Sequence, residues 1–180
     1  MKYLQGHAPE VLARVQALID EGRLMAWLLQ RHPETHTVRS DRALQAYVAE
    51  LKARHLKTAP PLAKVAYDNL LHVVHQALGT HTTVSRVQGS RLQTKRELRV
   101  ASLFKDAPAN FLRMIVVHEL AHLREREHGK AFYALCEHME GDYHQLEFET
   151  RLWLTALEAE GPCRPGASPE PMLAGPASKR

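Results

Sequence analysis

Five consecutive residues concentrate the chemistry of this chain: His118, Glu119, Leu120, Ala121 and His122. They have the His-Glu-x-x-His spacing of zinc hydrolases. On a helix, positions four apart share one face, a turn apart, so both imidazoles reach a single ion with Glu119 beside them. Zinc takes neutral imidazole nitrogens at about 2.0–2.1 Å and, in catalytic centres, leaves a position for water. Glu119 is poorly placed as a ligand but can hold and deprotonate that water. The bland alternative is a pair of core histidines bonded to backbone carbonyls. It would leave Glu119 without a cation inside the apolar stretch Phe111 to Leu123, whereas buried charges are normally paired.

Such an ion needs a third protein ligand. His128 comes next in sequence. On a continued helix it would lie about 9 Å beyond His122 along the axis and about 120° around it, out of reach of the same ion. The chain must therefore turn after Leu123. The polar run Arg124-Glu125-Arg126-Glu127 suits a helix end, and Gly129 offers backbone freedom. His138, His144, Glu147 and Glu149 are competing ligands, since a glutamate from a later helix often completes such a centre.

The elements that must position these groups follow from periodicity and end signals. Residues 10–31 carry Val11, Leu12, Val15, Leu18 and Ile19 at helical spacing, with Gly22 dividing the segment and Pro33 ending it. Ser40 reads as the N-cap of a helix over 41–57, and Thr58-Ala59-Pro60-Pro61 as a stop. Lys64 to Tyr67 suits a short strand, and Leu70 to Leu78 a helix closed by Gly79. Thr83, Val84, Val87, Leu92, Leu98 and Val100 then suggest strands. Asp106 is placed to cap the central helix, with Pro108 in its first turn. Further helices are expected over 130–139 and 143–159, separated by Gly141-Asp142.

The strand region is also the basic part of the chain: Arg86, Arg91, Lys95, Arg96, Arg99 and Lys105 face Glu97 alone. The bland reading is a solvated sheet face. The sharper one is a cationic wall beside the metal for an acidic substrate, with Arg86, Arg96 and Arg99 as the substrate-binding candidates.

With 180 residues, the chain suits one domain over 1–160, followed by a Pro/Gly/Ala-rich tail over 161–180 expected to be disordered. A formal net charge of +4 falls short of the excess expected of a dedicated nucleic-acid binder. The cysteines, Cys136 and Cys163, cannot build a disulfide framework. The start, MKYLQGHAPE, lacks a signal peptide's apolar core, and no apolar run is long enough to span a bilayer. The expectation is a cytoplasmic protein.

The stretch HELAHLREREHGKAF, residues 118–132, resembles the YgjP-like family of metal-dependent hydrolases, which are related to the SprT and WLM zinc metallopeptidases. The similarity continues through TTVSRVQGSRLQTKRELRVASLF, DYHQLEFETRLWL, YLQG and APPLAKVAYDN, covering most of residues 3–157. The resemblance implies zinc held by His118, His122 and His128, with Glu119 as general base. It implies an α+β, minimal zincin-like fold: a small antiparallel sheet packed on the motif helix, with extra helices at both ends. Peptide hydrolysis is the first expectation, because one zinc with a helical glutamate base is the metallopeptidase arrangement. The alternative is a nucleoside triphosphate (UTP) pyrophosphatase using the same metal site. A third reading is a nucleic-acid-associated zinc protein, binding weakly through the basic strands.

Overall fold

After a 3-10 turn over Lys2–Leu4 that buries Tyr3 and Leu4, two short helices follow, and the glycine between them is structurally required. The computed structural model describes residues 1–69 and 96–161. Helix α1 (Pro9–Asp20) buries Val15, and α2 (Leu24–Arg31) buries Leu24, Met25 and Leu28. Gly22 has φ +63. The amides of Gly22 and Arg23 bond back to the carbonyls of Ile19 and Leu18, both at 2.9 Å, which is the Schellman termination. A side chain at Gly22 would strain that left-handed turn.

Ser40 caps α3 (Asp41–His55) as its sequence predicts, its Oγ accepting from the Ala43 amide at 3.2 Å. Strand β1 (Lys64–Asp68) pairs with β2 (Glu97–Ala101). The expected sheet was antiparallel; these two strands run parallel, with Val65 opposite Leu98 and Tyr67 opposite Val100. A parallel pair needs a crossover of a dozen or more residues rather than a hairpin, and residues 69–96 are long enough to make one. The architecture is α+β, as expected. The proposed helix 70–78, the strand residues Thr83, Val84, Val87 and Leu92, Arg86, and the tail from residue 162 lie outside the described residues. No helix among the described residues is long and apolar enough to cross a membrane.

Helix α4 (Ala109–Ala121) carries the motif through the centre of the fold. Phe111, Leu112, Met114, Ile115, Val116, Val117, Leu120 and Ala121 are all buried. It touches α3, β2, α5 (Lys130–Met139) and α6 (Tyr143–Glu160). Asp106 does not cap it. The N-cap is Pro108, Asp106 belongs to the preceding 3-10 turn, and the Ala109 amide bonds to the Glu34 carbonyl at 2.9 Å. A carbonyl brought in by tertiary structure thus replaces the local cap.

A buried polar cluster ties α2 to α6. The Glu149 carboxylate accepts from Arg31 Nε at 2.8 Å, His32 Nε2 at 2.7 Å and Gln145 Nε2 at 3.0 Å. Burial alone would raise this carboxyl. The bonds from Gln145 and His32, with the charges of His32 and Arg31, outweigh burial and hold it below its ordinary value. A depressed carboxyl stabilises the fold above its unfolded pKa, and that contribution is lost as pH falls through the folded value. Glu149→Ala is expected to cost about 3 kcal/mol, because it strands a buried partner. Denaturant unfolding at neutral pH measures that loss. In the same assay below about pH 4, wild-type stability should fall more steeply than that of Glu149→Gln.

Candidate metal centre

The motif helix ends where the second histidine begins to matter. His118 lies in the last turn of α4, and His122 is its C-cap. The next residues fold back at once, with the amides of Arg124 and Glu125 both returning to the Ala121 carbonyl at 3.0 Å. This reversal brings His128 alongside the two helix histidines. The turn does not exploit glycine's freedom as expected: Gly129, the N-cap of α5, sits at φ −90 and ψ −174, extended backbone open to any residue.

His118, His122 and His128 form a group of side chains able to hold a metal ion. Their Nε2 atoms make a near-equilateral triangle: 3.2 Å from His118 to His122, 3.2 Å from His118 to His128, and 3.1 Å from His122 to His128. Tetrahedral ligands at about 2.0–2.1 Å from zinc stand about 3.3–3.4 Å apart, so the observed edges fit such a site closely.

Tautomers support the same reading. His122 Nδ1 stands 2.8 Å from the Glu125 carbonyl oxygen. That oxygen can only accept, so Nδ1 carries the proton and Nε2 presents a lone pair to the centre of the triangle. His118 Nδ1 stands 2.7 Å from Tyr143 Oη, with both side chains buried. Burial and the neighbouring Glu147 carboxylate push the Tyr143 phenol far above its ordinary value, so it stays a neutral hydroxyl able to accept from His118 Nδ1. Beneath the three imidazoles lies the buried Phe132 ring, with centroid distances of 5.0, 4.6 and 4.6 Å to His118, His122 and His128. It restricts how the rings can turn.

Glu119 follows His118 on the same helix. Burial pushes its carboxyl up to about 8. A dication on the adjacent imidazoles acts in the opposite sense, favouring the carboxylate. The competing ligands go elsewhere. Glu149 belongs to the Arg31–His32 cluster, Glu147 pairs with Arg151 at 2.8 Å, His144 pairs with Glu137 at 3.1 Å, and His138 packs edge-on against His55.

Of the basic residues, Arg96 donates from Nη1 to the carbonyl of Leu123, one residue past His122, at 2.9 Å. Arg99 lies across Asp68 and Glu97 at 2.7 and 2.8 Å, and Lys105 sits over the Tyr67 ring. Arg86 lies outside the described residues. Sequence reasoning missed Tyr143 and the Glu125 carbonyl as partners of the histidines. Tyr143 follows His118 by 25 positions, a separation with no helical or strand period to reveal it.

The YgjP-like family, described as a metallopeptidase domain, matches residues 22–152. The UTP pyrophosphatase of Escherichia coli (strain K12) is 58% identical over 157 residues, covering 87% of this chain and 94% of that protein. No solved structure matches.

Proposed function

The chain belongs to the YgjP-like family and is a hydrolase, and from that premise we propose that it is a zinc-dependent nucleoside triphosphate pyrophosphatase acting on UTP. The observation that carries the catalytic half is the triangle of imidazole nitrogens, 3.1–3.2 Å on each edge. The substrate half rests on the 58% identical relative named for UTP. Peptide hydrolysis, the first expectation from the motif, keeps the support of the family's description and is tested alongside.

In this reading His118, His122 and His128 hold the ion. When bound, zinc supplies Lewis acidity to the substrate oxygen and to the attacking water. Glu119 orients that water and accepts its proton as the oxygen bonds to the α-phosphorus. The α–β bridging bond breaks, giving a nucleoside monophosphate and pyrophosphate, and Glu119 returns the proton to the departing group. Arg96, bonded to the Leu123 carbonyl, is the candidate cation for offsetting the triphosphate's charge. Tyr143 and the Glu125 carbonyl hold the imidazoles in the tautomer that presents Nε2.

The zinc-loaded protein, incubated in parallel with UTP and with unfolded protein, tests the reading. Pyrophosphate release from UTP is expected. Proteolysis without nucleotide cleavage would transfer the assignment to peptides, and steeply salt-dependent nucleic-acid binding without either activity would favour the third reading. Tyr143→Phe removes one hydroxyl and little volume, and loss of a ligand's hydrogen-bond partner typically weakens metal binding about 10–100-fold. Competition with a chromophoric chelator measures that loss directly.

A further inference from the structure

A cavity of about 330 Å³ opens where the N-terminal segment meets α5 and α6. Its walls carry two aromatic pairs. His7 stacks on Phe148 at 5.1 Å and 27°, and Tyr133 packs against His144 at 5.2 Å and 34°. Its polar lining includes Gln5 and the Glu147–Arg151 pair. That pair is sheltered: Glu147 is buried, and Arg151 also donates to the Tyr3 carbonyl at 3.3 Å. A sheltered ion pair adds little stability over apolar residues of similar size; through Tyr3 this one also ties the N-terminal segment to α6. Tyr133 joins the cavity to the metal centre, its ring 6.4 Å from that of His128.

We propose that this cavity is the nucleoside subsite of the enzyme, taking the pyrimidine base and ribose of a nucleoside triphosphate whose phosphates lie at the three histidines. This rests on the nucleotide reading above. Aromatic faces stack on any base at about 1–3 kcal/mol per base. The Gln5 amide offers both a donor and an acceptor, and the Glu147 carboxylate accepts from a base N–H or a ribose hydroxyl. These match the alternating acceptors and donor along the edge of uracil. The volume lies at the small end of the range for small-molecule sites. The Tyr133 ring, 5.2 Å from His144 and 6.4 Å from His128, links the cavity to one of the three histidines.

Uridine carries base and sugar but no phosphate, so it probes the subsite independently of the metal-dependent chemistry. Calorimetric titration of the zinc-loaded full chain should show uridine binding that weakens at least 10-fold in Gln5→Ala and in Phe148→Leu. The leucine keeps an apolar side chain at the Phe148 position and removes its aromatic face. In both variants the KM for UTP should rise by about 10-fold, well beyond any change in kcat, and the advantage of UTP over ATP should shrink. Absence of uridine binding by the wild type overturns the subsite whatever happens with UTP. Unchanged uridine affinity and UTP KM in both variants overturn it as well. Uridine binding without cleavage of any nucleoside triphosphate would instead leave the subsite standing and overturn the pyrophosphatase reading.

Discussion

Glu119→Gln is expected to lose hydrolytic turnover by about 10²–10⁴-fold or more while retaining its metal. Glutamine keeps the shape of the side chain, so α4 and the three imidazoles should not shift. It has no basic oxygen, so it cannot take the proton from the attacking water. Steady-state assay on UTP with elemental analysis of the same preparation separates the two effects. Turnover near wild type would remove Glu119 from the mechanism. Metal loss in step with activity would instead make Glu119 a support for the centre.

His128→Ala is expected to weaken zinc affinity by orders of magnitude. It deletes one corner of the nitrogen triangle, leaving two ligands where a catalytic zinc site uses three. A neutral imidazole at that corner also leaves the site its full +2 charge, a stronger Lewis acid than with a carboxylate ligand. Glu147→Ala and Glu149→Gln should keep zinc, since their carboxylates pair with Arg151 and with the Arg31–His32 cluster. Chelator competition across the four proteins decides the matter. Retention of zinc by His128→Ala, with loss in either glutamate variant, would place the third ligand on α6.

Helical periodicity determined a good deal of this protein by itself. The spacing in residues 10–31 implied two helices divided at Gly22, because the Schellman turn that ends α1 needs a residue tolerant of positive φ. Ser40 marked the start of α3 because its hydroxyl satisfies an amide three residues on. The four-residue interval from His118 to His122 placed two imidazoles on one helix face. Each of these is a contact between residues within five positions of one another, where local geometry leaves few choices.

Tertiary structure decided what depends on distant partners. Leu98 and Val100 alternate inward as a strand should, yet alternation says nothing of direction, and the parallel pairing with β1 is visible only in the folded chain. The amide at the start of α4 is satisfied by Glu34 rather than Asp106. His128 joins the centre because the chain reverses at Ala121 rather than because of any freedom at Gly129. Tyr143 reaches His118 because α6 packs against α4. In a sequence, spacing encodes direction around one helix or strand. Which face of another element meets it is settled only when the apolar surfaces pack, and that packing determines the surroundings of the three imidazoles.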